Sequence, residues 1–244
     1  GEKPLYFGKQ NGAFLFGSEL KSLKAHPRFS ADIDRDALAL YMRHNYIPAP
    51  YSIYQNIHKL KPAHYVVISN HGQNISEQRC YWDLKEIANH GLANQVTDER
   101  QALEDLDGLL KDSVKRRMMA DVPLGAFLSG GYDSTTVAAL MQVQSTKPVK
   151  TFSIGFKEDA FNEAQYAKQV AAHLGTEHTE LYVEPQQALD VIPKLPEIYD
   201  EPFSDSSQIP TFLVSQLAKQ HVTVALSGDG GDELFCGYSR YNLG

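Results

Sequence analysis

Leu128-Ser129-Gly130-Gly131-Tyr132-Asp133-Ser134 decides the fold of this chain. Upstream of it runs Val122-Pro123-Leu124-Gly125-Ala126-Phe127-Leu128, apolar and short enough for a buried parallel strand. Downstream, Val137, Ala138, Leu140 and Met141 recur at helical spacing. The glycines therefore fall at a strand-to-helix turn, where free amides and the positive end of the helix dipole converge on an anion. Gly130 and Gly131 leave no Cβ between the backbone and phosphate oxygens. Ser129 and Ser134 can donate hydroxyl hydrogen bonds, and Asp133 can hold the cation that accompanies a polyphosphate. The stretch reads as a phosphate cradle.

Two familiar cradles are excluded. No Lys follows these glycines as a Walker loop requires, and the dinucleotide fingerprint Gly-x-Gly-x-x-Gly is absent. Ser-Gly-Gly-x-Asp-Ser instead resembles the pyrophosphate loop of the ATP pyrophosphatase families, which split ATP into AMP and pyrophosphate. For a motif this short, an ordinary Gly-rich turn is the competing reading.

With 244 residues the chain has room for one large domain or two smaller ones. A hydrophobic content of 42% and a charged content of 22% are those of an ordinary globular protein. The net charge of -7 argues against non-specific nucleic-acid binding, which needs a basic surface. Cys80 and Cys236 are far apart and form no Cys-x-x-Cys pair, so neither a zinc ribbon nor a redox motif is supported. Sparse cysteine fits a reducing cytoplasmic setting. No apolar run approaches the roughly 20 residues that span a bilayer, so no membrane partner is expected. The nine histidines show no metal-binding spacing.

Residues 1–84 read as an α+β region. Leu5-Tyr6-Phe7 and Ala13-Phe14-Leu15-Phe16 flank Asn11-Gly12, a hairpin signal. Ser18 is expected to cap a short helix over 19–24 that stops at His26-Pro27, and 34–46 reads as a second helix. Ala63–Ile68 reads as one strand, turned by Asn70-His71-Gly72 toward Ile75 and Tyr81. The polar stretch 85–97 is expected to link two domains. From 98 to 244 strands and helices alternate, the pattern of a parallel sheet with crossover helices. Asp98 and Gln101 resemble a capping box, and Leu103, Leu106, Leu110, Val114 and Met118 mark one helical face. Lys115-Arg116-Arg117 reads as the cationic end of that helix rather than a ligand site. Strands are expected at 149–156, 179–183 and 222–226, with helices over 164–174, 185–199 and 210–220.

The last strand empties into Ser227-Gly228-Asp229-Gly230-Gly231-Asp232-Glu233. In an open parallel sheet ligands bind at the carboxyl ends of strands, so both Gly-rich loops lie at one edge. A divalent cation bridging Asp133 and Asp232 to phosphates would explain so acidic a loop beside a nucleotide. Alone, the loop would read as a solvated turn before a helix.

Four stretches in order carry a more specific resemblance. They are 128–134, Thr151-Phe152-Ser153-Ile154-Gly155-Phe156, His173-Leu174-Gly175-Thr176-Glu177-His178, and Leu226–Phe235. Together they resemble the synthetase domain of glutamine-hydrolysing asparagine synthetases. Gly1-Glu2-Lys3-Pro4-Leu5-Tyr6 and Ser18-Glu19-Leu20-Lys21 resemble the end of the same family's class II glutaminase domain. The implied fold is an adenine-nucleotide α-hydrolase-like α/β sheet preceded by the α+β end of a glutaminase domain. The implied chemistry is ATP-dependent adenylation of a carboxylate, normally that of aspartate, followed by attack of glutamine-derived ammonia. ATP and Mg2+ are the implied cofactors.

On that resemblance Ser129, Gly130, Gly131, Asp133 and Ser134 hold the pyrophosphate portion and Asp133 and Asp232 the magnesium. Leu128 and Ile154 flank adenine, Ser227 and Gly228 meet the AMP portion, and Asp229 takes a proton from the attacking ammonia. Tyr199-Asp200-Glu201-Pro202-Phe203-Ser204-Asp205-Ser206-Ser207 falls where the acceptor carboxylate should bind, with Asp205, Ser206 and Ser207 as candidate contacts. A Pro-kinked loop before a helix is the other reading of that segment. Tyr132 stands where the family usually has Leu, and Cys236 where it has Gly. The family's N-terminal Cys nucleophile and its C-terminal helices with a catalytic Lys are not among these residues. The chain is therefore expected to be a piece of a longer enzyme, inactive by itself. A sugar-acid amidotransferase and a noncatalytic ATP-binding module are the alternatives; a homodimer is left open.

Overall fold

Asn11 and Gly12 both take positive φ, 47° and 76°, as a two-residue hairpin turn demands. They join strands β1 (Tyr6–Gln10) and β2 (Ala13–Gly17) in antiparallel register. The computed structural model describes residues 3–156 and 163–242, so Gly1 and Glu2 of the family-like opening stretch lie outside the described residues. The chain divides into two units, 1–95 with 192–206 and 96–191 with 207–244.

In the first unit α1 (Leu20–Lys24) buries Leu20 and Leu23. Its N-cap is Glu19 rather than the expected Ser18, and no side chain caps it. Helix α2 (Arg35–His44) starts conventionally: the Asp34 carboxylate accepts from the amides of Asp36 and Ala37. Asn45, at φ 65°, closes the helix in the left-handed conformation that Asn tolerates. Strand β3 (Ile57–Lys59) pairs with the free side of β1, giving the order β2-β1-β3. Tyr6, Leu15, Leu20, Leu23, Ile47 and Ile57 form the core beneath.

The strand expected over 63–68 is two. Ala63 has φ 55°, and β4 (His64–Tyr65) and β5 (Ile68–Ser69) pair with different partners, β7 (Arg79–Cys80) and β6 (Asn74–Ile75). The stretch read as a linker contains helix α3 (Leu84–Ala93), whose N-cap Asp83 accepts from the amides of Lys85 and Glu86. Asn and Gly inside it lower helix propensity, and the cap outweighs them.

The second unit opens with α4 (Glu99–Arg117), capped by the Asp98 carboxylate on the amides of Arg100 and Gln101. Only half of the expected capping box forms, because the Gln101 side chain donates to Asp105 instead. There follow β8 (Leu124–Phe127), α5 (Tyr132–Gln144), β9 (Lys150–Phe156) and α6 (Ala164–Leu174). After Gly175, a left-handed cap at φ 71°, come β10 (Glu177–Val183) and α7 (Pro185–Leu189). Helix α8 (Leu195–Tyr199) belongs to the first unit. The chain re-enters the second through α9 (Gln208–Ala218), β11 (Val224–Leu226) and α10 (Gly231–Phe235).

The four strands form one parallel sheet in the order β10-β9-β8-β11. Thus β8, β9 and β10 step in one direction, and β11 returns to the opposite side of β8. The order reverses between β8 and β11, where a ligand crevice opens at the carboxyl ends. The pleat divides the packing. Ala126 packs with Val114 of α4 and Met141 of α5, and Leu128 with α5 and α6. Phe127 and Phe152 pack instead against Leu217 and Ala218 of α9. The fold is α/β with crossover helices, preceded by antiparallel strands. Among the described residues no helix is long and apolar enough to cross a membrane.

A polar chain crosses the β9–β10 pair. His178 Nδ1 shares a 2.9 Å hydrogen bond with Thr151 Oγ1, and its Nε2 a 3.2 Å bond with Ser153 Oγ. Glu180 lies 3.8 Å from Nε2 and 3.6 Å from Lys168 Nζ of α6. Burial holds the His178 pKa below the ordinary 6.5, outweighing the Glu180 charge that raises it; Lys168 lowers it further and the Thr151 bond raises it. The unfolded chain then takes up a proton below pH 6.5 that the folded chain refuses. The stability this provides is complete above that pH and is lost as pH falls through the lowered folded value. Urea midpoints of the second unit should therefore drop on acidification below pH 6.5, and His178→Gln should flatten that dependence.

Candidate active site

The turn after β8 is closed by its own serines. The Ser134 hydroxyl accepts from the Ser129 amide at 3.1 Å, contacts Ser129 Oγ at 2.9 Å and reaches the Gly131 carbonyl at 3.3 Å. Ser129 Oγ also accepts from the Gly131 amide at 3.3 Å. Ser134 is buried, so its hydroxyl braces the loop from within. Gly131 is the N-cap of α5, and this 13-residue helix aims its first-turn amides and the positive end of its dipole at the turn.

Gly130 has φ 83°, and a Cβ there would stand 2.7 Å from Tyr166 Cβ and 2.8 Å from the Ala167 amide nitrogen. The first turn of α6 thus forms one wall of the loop. The sequence predicts a helix over 164–174 without assigning its residues Ala164, Ala167 and Ala171 this task. The signal was their size: all three are buried, and only small side chains let α6 approach so closely.

The second loop reaches the first across the strand-order reversal. A Cβ on Gly228 would stand 2.7 Å from the Ser134 amide nitrogen and 3.0 Å from Asp133 Cβ. Gly231 abuts the Asp133 carboxylate. The Asp229 amide donates to Ser227 Oγ at 3.4 Å, and Asp229 itself is exposed. Asp133 and Asp232 are half-buried, with Asp232 packed on Gly237. Among the described residues no group of three or more His, Cys, Asp or Glu side chains gathers into a metal cage. Two carboxylates beside an anion cradle suit Mg2+, which keeps waters and phosphate oxygens in its shell and takes only one or two carboxylates.

Leu128 is 1% exposed, packed with Ala138, Ala167 and Ala171. Its amide donates to the Phe152 carbonyl at 2.9 Å, so any contact to a nucleotide base is made through other main-chain atoms. Ile154 is half-buried on β9. The candidate acceptor residues fall on both sides of a unit boundary: Asp205 and Ser206 end the first unit's returning segment, and Ser207 is the N-cap of α9 in the second.

Both departures from the family pattern have a structural reading. Tyr132 is 95% exposed, so its side chain constrains nothing in the loop. Cys236 ends α10 at φ 59°, the left-handed conformation that explains a Gly preference. A side chain there costs about 1 kcal/mol.

Residues 105–244 match the asparagine synthase family model, and residues 1–82 match a glutamine amidotransferase domain. A protein assigned as a glutamine-hydrolysing asparagine synthetase in Methanocaldococcus jannaschii is 40% identical over 244 residues, covering 99% of this chain and 46% of that relative. Glutamine-hydrolysing asparagine synthetase 1 of Bacillus subtilis is 35% identical over 241 residues, covering 99% of this chain and 37% of its own length. An amidase of Penicillium rubens is 26% identical over 270 residues, with 99% and 37% covered. The chain spans less than half the length of these relatives. With its phosphate-loop motif, its acidic loop and a family match over most of its length, the chain belongs to the asparagine synthase family.

Proposed function

We propose that the protein carrying this chain uses ATP to convert a carboxylate, most simply aspartate, into its amide. The meeting of the two Gly-rich loops carries this reading: Gly228 and Gly231 lie directly on Asp133, at the reversal of strand order. A carboxylate does not exchange oxygen for nitrogen unaided, because hydroxide is a poor leaving group. In the proposed reaction a carboxylate oxygen attacks the α-phosphorus of ATP, the bond to the β-phosphate oxygen breaks, and pyrophosphate leaves. Ammonia then attacks the acyl carbon of the acyl-adenylate, and AMP leaves with the former carboxylate oxygen.

The loop amides around Gly130 and Gly131 and the N-terminus of α5 would hold the pyrophosphate portion, with Ser129 and Ser134 fixing the loop's shape. Ser227 and Gly228 would face the AMP portion, and Ile154 with the main chain of Leu128 the adenine. Asp133 and Asp232 would hold Mg2+, which neutralises phosphate charge. Asp229 would accept the proton shed by the ammonia nitrogen as the amide forms. Residues 1–84, of which 1–82 match a glutamine amidotransferase domain, would contribute to the module that frees ammonia from glutamine. Residues 98–244 would contribute to the synthetase module. Asp205, Ser206 and Ser207 are the proposed contacts to the acceptor carboxylate.

A second reading keeps the chemistry with another carboxylate, such as a sugar acid, as acceptor; the Penicillium relative, 26% identical over 99% of this chain, is named an amidase rather than an asparagine synthetase. ATP–pyrophosphate exchange by the full-length protein, against aspartate and a panel of uronic acids, decides between them. Exchange with aspartate supports asparagine as product; exchange with a uronic acid alone replaces the acceptor; none at all removes the reaction. Asp133→Ala should weaken magnesium-dependent ATP binding at least about tenfold, on the order of 1.4 kcal/mol. Unchanged affinity by calorimetry would remove Asp133 from the site. Gly228→Ala places a methyl group against the Ser134 amide and should lower exchange roughly a hundredfold with the circular dichroism spectrum preserved.

A further inference from the structure

The segment 192–206 leaves the second unit, folds with the first, and returns at Ser207. None of its residues is buried as a whole, and Leu195, Ile198, Tyr199 and Pro202 are half-buried. Polar contacts add specific ties. The Glu201 side chain is 8% exposed and both its oxygens are engaged. Oε1 accepts from Tyr6 Oη at 3.1 Å and pairs with Lys59 Nζ, while Oε2 accepts from the Ile53 amide at 3.2 Å. Lys59 Nζ also donates to the Ile47 carbonyl at 2.6 Å and lies 5.7 Å from the centre of the Tyr6 ring. Burial and the Glu201 charge raise the Tyr6 pKa, which keeps its hydroxyl a donor. Beside this knot, Asp200 lies 3.6 Å from Lys21, and the Ser204 amide donates to the Asn45 carbonyl at 2.8 Å.

We propose that Glu201 is a positioning residue for the acceptor carboxylate, tying the loop that carries Asp205, Ser206 and Ser207 to β1, β3 and the 45–53 connection of the amidotransferase-like unit. The inference rests on the amidation reading above. Its basis is distance along the chain: the Ser204 amide is tied to the Asn45 carbonyl immediately before Asp205, and α9 begins three residues beyond Asp205 at Gln208. A loop fixed at 200, 201 and 204 presents the next three residues in few conformations, which lowers the entropy cost of gripping a small acceptor. Removing one member of a buried pair leaves the other charged and unpartnered, so the tie responds sharply to substitution.

The test uses the full-length protein, with Glu201→Gln and Glu201→Ala compared by acceptor-dependent ATP–pyrophosphate exchange and by amide hydrogen exchange over 199–206. Gln keeps an oxygen for Tyr6 or Ile53 and removes the charge facing Lys59, so it serves if the alanine variant does not fold. Glu201→Gln should raise the KM for the acceptor about tenfold, leave that for ATP within about twofold, and speed amide exchange in the segment. Lys59→Met combined with Glu201→Gln, which leaves no buried charge, should recover part of the acceptor KM. Faster amide exchange with an unchanged acceptor KM, or no change in amide exchange, overturns the proposal. If the unsubstituted protein shows no acceptor-dependent pyrophosphate exchange, the amidation reading falls and this inference with it.

Discussion

The second unit depends on a contact that only glycine permits. At the reversal between β8 and β11 the two loops leaving the sheet approach until the main chain at 228 lies against the Ser134 amide and Asp133. On the other side, the first turn of α6 presses on Gly130. The phosphate-type turn is thus held between a helix and a second loop, with Ser129 and Ser134 bracing it internally. An anion site made of main-chain amides is useful only if those amides keep their directions, since misaimed dipoles must reorganise as charge develops. Close packing on both sides and an internal hydroxyl brace supply that rigidity without placing a side chain in the way of the proposed anion.

This arrangement explains why so much of the second unit could be read in advance. Strand-to-helix turns announce themselves through an apolar run, small residues and a 3.6-residue period, all local properties of 122–141 and 222–235. The crossover pattern implies a parallel sheet, and a parallel sheet puts both turns at one edge. The strand order is not local. No feature of β11 says that it pairs with β8 rather than extending the sheet beyond β10; that choice is made where Val222 packs with Phe152, Leu217 and Ala218. The Ser134 brace was hidden for a related reason. A hydroxyl beside a candidate anion site suggests a ligand contact, and its hydrogen bonds within the loop are visible only once the chain is folded.

The first unit was harder to read. Its hairpin was plain from Asn11-Gly12, and a helix was legible from Asp34 onward, though not that Asp34 caps it. Residues 63–94 misled, because two-residue strands carry no period and Asn89 and Gly91 disguise α3 as a connector. The least legible feature is the return of 192–206. Tyr6 and Glu201 are 195 positions apart, and a single carboxylate meeting a phenol, an ammonium and an amide leaves no repeat or spacing to detect.

The return of 192–206 makes both units discontinuous in sequence. Here the polypeptide passes between the units after 95, after 191 and after 206, and the third passage adjoins the proposed acceptor residues. Desolvating Lys59 and Glu201 is costly, and replacing such a pair by apolar side chains is often neutral or stabilising. Stability alone therefore does not account for an ion pair at this point. Directionality does: an apolar patch would let 199–204 slide, whereas a carboxylate meeting Tyr6 Oη, the Ile53 amide and Lys59 Nζ fixes one position. The proposed amidation must present a small carboxylate to both a phosphorus atom and ammonia, and it would use that fixity just before the proposed acceptor residues.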